Sequence, residues 1–225
     1  MPPEAPTTAQ DPHRGQPVLA AGRPLAEAAA AMVLLHGRGA SAESILGLAA
    51  ELARPDFAFL APQAAGSTWY PYGFLAPLDR NEPWLGSALR LVGAVVERAA
   101  AAGVPPARLL LVGFSQGACL ALEYAARRPR RYGGVAALTG GLIGPDGTPR
   151  NATGSLAGTP VFLGSADPDP HVPRARVEES GRALEAMGAR VTTRLYPGMG
   201  HTVNEDELER VRAMMAEVAD GSCST

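Results

Sequence analysis

The sequence predicts an α/β protein, a mostly parallel central sheet with helices on both faces. Three observations lead there. Short apolar runs of strand length alternate with longer stretches whose apolar residues recur at helical spacing, from Met32 to Val218. The sharpest polar candidates, His36, Arg38, Ser115, Asp167, Asp169 and His201, each follow one of the apolar runs. In parallel sheets the reactive groups collect beyond the carboxyl ends of the strands. The chain of 225 residues is also sized for one domain with a substantial core.

The elements follow in order. Met1 to Gln16 is rich in Pro, Thr and Gln and is expected to be a disordered or loosely attached tail. It lacks the apolar core of a signal peptide. Pro17 to Ala20 reads as a short edge strand and Met32 to Leu35 as a buried one, ending at His36-Gly37-Arg38-Gly39. Ser41 is a good N-cap for a helix over Ser44 to Leu52, with Ile45, Leu48, Ala49 and Leu52 on one face. Phe57 to Leu60 is the next strand. Ala64 to Glu82 is irregular and dense in aromatic residues: Trp69, Tyr70, Tyr72 and Phe74.

Leu85 to Ala102 is an amphipathic helix stopped by Gly103 and Pro105. Leu109 to Val112 is a strand, Ala118 to Arg127 a helix and Val135 to Leu138 a strand. Leu142 to Gly158 reads as a Gly- and Pro-rich surface loop. Pro160 to Leu163 and Arg190 to Tyr196 are strands, and Arg174 to Met187 and Glu205 to Val218 are helices. The expected division is a tail over 1–16, one domain over 17–220 and a short tail over 221–225.

Composition removes several function classes. Net charge is −2, with nothing to suggest nucleic acid. Lysine does not occur, which excludes Schiff-base chemistry and a Walker-type phosphate lysine. The longest apolar run, Ala28 to Leu35, is too short to span a membrane. Two cysteines, Cys119 within a helix and Cys223 near the end, make no disulfide framework and fit a reducing cytoplasm. The Asn151-Ala152-Thr153 sequon is read as coincidence.

The chemistry centres on Gly113-Phe114-Ser115-Gln116-Gly117, a G-x-S-x-G pattern between an apolar strand and a helix. There the turn is tight and strained, and glycine is needed on both sides. The turn pushes the serine hydroxyl out of the sheet and sets it at a helix N-terminus. A serine hydroxyl needs a base. Of the four histidines, His13 lies in the expected tail, His36 precedes the serine, and His171 adjoins the acidic pair. His201 sits in a glycine loop before the last helix. That suits the order serine, acid, histidine.

The acid belongs between them at a strand end. Glu123, Glu178, Glu179 and Glu185 lie on helices, and Asp146 sits in a turn. Asp167 and Asp169 remain. Asp167-x-Asp169-x-His171 also resembles a metal-ligand spacing, but no further ligand supports it. Neither a metal nor another cofactor is expected. Gln116, the residue after the serine, supplies one backbone N–H for a developing oxyanion.

Four pieces in this order, His36-Gly37-Arg38-Gly39, Gly113-Phe114-Ser115-Gln116-Gly117, Asp169-Pro170-His171-Val172-Pro173 and Gly198-Met199-Gly200-His201, resemble the phospholipase/carboxylesterase family of α/β-hydrolases. That family includes the acyl-protein thioesterases. The resemblance implies an α/β-hydrolase fold without a large lid. It chooses Asp169 over Asp167 as the acid of a Ser115–Asp169–His201 triad. It makes the backbone N–H of Arg38 the second oxyanion donor and His36 a brace for its loop. The Arg38 side chain departs from the thioesterases, where this position is apolar, and is read as binding an anionic substrate group or as solvated.

Similar proteins place a loop near the acyl pocket, which assigns Trp69, Tyr70 and Phe74 to its lining, with plain packing as the alternative. The implied activity is hydrolysis of carboxylic esters of short or medium acyl chains through an acyl-enzyme. A thioesterase or lysophospholipase with the same triad is the alternative. A non-catalytic binding protein on a hydrolase scaffold is the rival from another class. The substrate is a small-molecule ester or thioester, and a homodimer is compatible with the resemblance.

Overall fold

Strand β4 (Leu109–Phe114) lies at the middle of the sheet and ends at the serine turn. The computed structural model describes residues 11–52, 54–150 and 153–219. Within them the order is β1 (Val18–Gly22), β2 (Ala30–Leu35), α1 (Ala42–Leu52), β3 (Phe57–Pro62), α2 (Trp84–Ala101), β4, α3 (Gln116–Arg127), β5 (Gly134–Leu138), β6 (Pro160–Asp167), α4 (Arg174–Ala186), β7 (Arg190–Pro197) and α5 (Glu205–Ala219). The seven strands form one sheet in the order β1-β3-β2-β4-β5-β6-β7. All neighbours are parallel except β1, which runs antiparallel to β3. This is an α/β-hydrolase architecture.

The inner strands are apolar on both faces because helices cover both. In β2, Ala31, Val33 and Leu35 point into one core with α2, α3 and α4. Ala30, Met32 and Leu34 point into the other, with α1 and α5. Period-2 alternation thus sorts one apolar run between two layers. Burying each large aliphatic side chain is worth roughly 1.5–3 kcal/mol, so this central sheet is the stable platform on which the site rests. Ser41 caps α1 as expected: its hydroxyl accepts the Ser44 N–H at 3.1 Å.

Two expectations need correction. The expected tail over 1–16 is a packed turn where it is described. Asp11 is bound by Ser87 and Arg90 of α2, and His13 is buried. An apolar core segment is not required to hold a chain end when its polar groups find buried partners. Residues 1–10 lie outside the described residues, as do 221–225 with Cys223, and Asn151 and Ala152 of the sequon.

The loop over 142–158 is likewise not merely superficial. Leu142, Ile143 and Leu156 are buried. Arg150 reaches the buried carboxylate of Glu123 at 2.7 Å, which also accepts the Ile143 N–H at 3.0 Å. No helix among the described residues is long and apolar enough to cross a membrane.

Candidate active site

The sheet order brings four strand ends to one edge, β2 beside β4 and β6 beside β7, with β5 between the two pairs. β2 leads into His36, β4 into Ser115, β6 into Asp169, and β7 into the loop that bears His201. Leu35 of β2 is in register with Gly113 of β4. The loop after one strand therefore meets the turn after the next.

The turn demands its glycines. Ser115 has φ 53° and ψ −117°, in the left-handed half of the map that a β-carbon disfavours. A β-carbon on Gly113 would lie 2.3 Å from the Gly117 carbonyl, and one on Gly117 would lie 2.1 Å from the Leu35 carbonyl oxygen. The Ser115 N–H is held by the Leu138 carbonyl at 3.0 Å. Strain at Ser115 is thus fixed by backbone on three sides.

Ser115 Oγ lies 2.9 Å from His201 Nε2, and His201 Nδ1 lies 2.9 Å from Asp169 Oδ2. The carboxylate can only accept, so Nδ1 carries the proton and Nε2 is free to accept from the serine. The other oxygen of Asp169 accepts the N–H groups of His171 and Val172 at 2.8 and 2.9 Å. Burial works against the charge of Asp169. The His201 bond and the two backbone N–H groups outweigh it and hold the carboxyl below the usual carboxylate range.

Asp167 faces elsewhere: its carboxylate pairs with Arg174 at 3.2 Å. The alternative left open by the residues alone therefore closes on Asp169 as the partner of His201. The acidic pair also does not converge, and among the described residues no group of three or more His, Cys, Asp or Glu is placed to hold a metal.

Arg38 and Gln116 line the same cleft as Ser115. Their backbone N–H groups meet no acceptor among the described residues. Gly37 packs close to the serine, since a β-carbon there would lie 3.6 Å from that of Ser115. His36 is buried. Its Nε2 accepts the Ala64 N–H at 3.1 Å, so its Nδ1–H donates to the Gly37 carbonyl at 2.8 Å. Burial holds its pKa below the ordinary imidazole value, which favours this neutral brace.

The Arg38 side chain is exposed, as the solvated reading has it, but its guanidinium is engaged by the protein rather than held out for an anion. Its guanidinium donates to Thr68 Oγ1 and to the carbonyls of Tyr70, Pro71 and Tyr72, all within 3.0 Å. A fork of donors fits a turn of converging carbonyls better than open water. The Gln116 carboxamide does similar work. It accepts the Trp69 N–H at 2.9 Å and donates to the Tyr70 carbonyl at 2.8 Å.

An open cleft of about 440 Å³ runs past Ser115. Tyr70 and Phe74 line it, together with Phe114, Cys119, Val172 and His171. Trp69 does not. It is buried beneath the loop, where its indole N–H donates to the His36 carbonyl at 2.8 Å. A buried indole needs an acceptor, and that need turns it into the core. Cys119 is buried as expected, and burial pushes its thiol up to about 11. The rings of Phe114 and His171 flank His201 at 5.2 and 4.9 Å.

A family model described as phospholipase/carboxylesterase matches residues 20–218. Acyl-protein thioesterase 1 of Gibberella zeae is 30% identical over 147 residues, covering 64% of this chain and 63% of that protein. The putative esterase NocK of Nocardia uniformis is 36% identical over 161 residues, covering 68% of this chain and 43% of that protein. The chain thus spans less than two thirds of the length of these curated relatives. A solved phospholipase/carboxylesterase from Dyadobacter fermentans is 46% identical, with a TM-score of 0.86 over 90% of this chain and 97% of that one.

Proposed function

The chain belongs to the phospholipase/carboxylesterase family, and on that premise we propose that it is a serine hydrolase that cleaves carboxylic esters through an acyl-enzyme. One observation carries the reading: the unbroken line Ser115 Oγ, His201, Asp169, with both hydrogen bonds at 2.9 Å. Ser115 is the nucleophile. As its oxygen attacks the ester carbonyl, its proton passes to His201 Nε2. Asp169 stabilises the imidazolium and fixes the tautomer.

The carbonyl oxygen becomes an oxyanion held by the N–H groups of Arg38 and Gln116. Collapse expels the alcohol, which takes the proton from Nε2. Water then attacks the acyl-enzyme with His201 as base. The carboxylic acid leaves and Ser115 regains its proton.

The cleft is open, with apolar walls from Phe74, Phe114 and Val172. This favours short or medium acyl chains. A thioesterase or lysophospholipase would use the same groups, since only the leaving atom differs. The reading extends to a single domain over 17–220 and to the cytoplasm, which suits the cysteine usage. A homodimer stands only on the family likeness. Fluorophosphonate labelling of Ser115 separates a hydrolase from a binding protein on the same scaffold. Matched esters and thioesters then assign the leaving group. Wild-type turnover of p-nitrophenyl acetate by Ser115→Ala would overturn the reading.

A further inference from the structure

His13 comes from the segment expected to hang free, yet its side chain is only 1% exposed. Its N–H donates to Ser87 Oγ on α2 at 2.9 Å. Its Nδ1 accepts the Ala65 N–H at 3.0 Å. That nitrogen must be unprotonated, so Nε2 carries the proton and donates to the Trp69 carbonyl at 3.0 Å. His36 uses the opposite tautomer on the preceding residue, Ala64. Two consecutive backbone N–H groups are thus each taken by a different buried imidazole. The two rings lie on Trp69, with centroids 5.6 and 4.9 Å from it.

The segment so held is the one that grips the loops beside the serine. The Gly39 N–H donates to the Ser67 carbonyl at 2.7 Å. Arg38 and Gln116 are tied to residues 68–72 by their side chains.

We propose that His13 is a positioning residue for ester cleavage, holding residues 64–72, and through them the Arg38 and Gln116 donors, only while its imidazole is neutral. The inference rests on the oxyanion assignment above. A proton on Nδ1 would set two N–H groups against each other at Ala65. The charges around the ring are Asp11 from its own segment, Arg90 of α2 and His36 after β2. Burial and the last two oppose protonation; the Trp69 carbonyl and Asp11 favour it. The balance lies below the ordinary value. The grip therefore persists through neutral pH and fails on acidification.

The chain's two tryptophans, Trp69 and Trp84, both contact the His13 ring, at 5.6 and 5.4 Å. Tryptophan emission of the full-length protein thus senses this ring, together with His36 on Trp69, and the His13→Phe variant separates the two. Acid titration should change emission in one step below about pH 6.5, with far-UV circular dichroism unchanged. His13→Phe should abolish the emission step. It should lower kcat about tenfold or more, with KM within about threefold, as expected when oxyanion donors are misplaced. His13→Asn, which keeps an acceptor for the Ala65 N–H, should recover part of the loss.

Wild-type emission that stays flat on acidification overturns the proposal. So does an unchanged emission step, or wild-type kcat, in His13→Phe. If His13→Phe does not fold, the wild-type titration and His13→Asn decide. Failure of Ser115 labelling at every pH would refute the hydrolase reading instead, and leaves the emission step as a separate observation.

Discussion

Arg38 and Gln116 meet on one acceptor. The carbonyl of Tyr70 takes a hydrogen bond from the Arg38 guanidinium at 2.9 Å and another from the Gln116 carboxamide at 2.8 Å. These residues also carry the backbone N–H groups assigned to the oxyanion. Loosening either side chain should misplace its own N–H. Arg38→Ala and Gln116→Ala are each expected to lower kcat by about 10- to 100-fold with little change in KM, because the lost contact matters most in the transition state. Arg38→Lys should not rescue, since a point charge cannot serve four acceptors at once. Steady-state kinetics on p-nitrophenyl acetate check this; unchanged kcat in both alanine variants would refute it.

The two aspartates after β6 make a sharp comparison. Asp169→Asn should leave the fold intact and reduce kcat by about 10³- to 10⁴-fold, because an amide favours the wrong tautomer of His201. Asp167→Asn loses only the Arg174 pair, at the surface, and should stay within about twofold of wild type. Equal losses in the two variants would contradict the assignment.

Gly113→Ala and Gly117→Ala should each fail to give stable protein. The added carbon meets backbone at 2.3 and 2.1 Å, with no flexible side chain to yield. The cost should exceed the roughly 1–3 kcal/mol typical of overpacked cores. Gly198→Ala, with open space at its β-carbon but φ 72°, should cost only about 1 kcal/mol. Denaturant midpoints distinguish the cases.

Glu207 carries a pH dependence of stability. It is buried at the start of α5, where its carboxylate accepts the Asn204 N–H at 3.0 Å. Burial raises its pKa from 4.5 to about 7; the Asn204 N–H opposes the rise and the charge of Asp206 adds to it. Between those values the folded state keeps a proton that the unfolded chain has released. Stability should therefore fall as pH rises from about 4.5 through 7, by up to about 3 kcal/mol. Glu207→Gln retains an acceptor for Asn204 and should flatten the trend, with a higher denaturant midpoint than wild type above pH 7. Parallel midpoints at every pH would reject it.

Most of the fold was legible because strand and helix periods differ and each apolar run is cleanly bounded. The direction of β1 was not: Val18–Gly22 is exposed along much of its length and its side chains do not encode which way it pairs. Ser115, His201 and the acidic pair were legible from chain order and strand ends. The supports were not. Trp69 reads equally as cleft wall or core until its indole N–H finds the His36 carbonyl. Nor does anything in Asp11-Pro12-His13 announce a residue whose partners lie more than fifty positions away. Short polar stretches carry no period, and their packing depends on backbone groups that every sequence possesses.

Three of the four acceptors of the Arg38 guanidinium are main-chain carbonyls. Such a grip is blind to side-chain identity. The exposed ring of Tyr72 can be exchanged without loosening the hold on the loop that bears it. Anchorage and surface chemistry are therefore written in separate alphabets along one stretch of chain, and position 72 becomes a cassette whose side chain can be rewritten while the loop beside Ser115 stays in place.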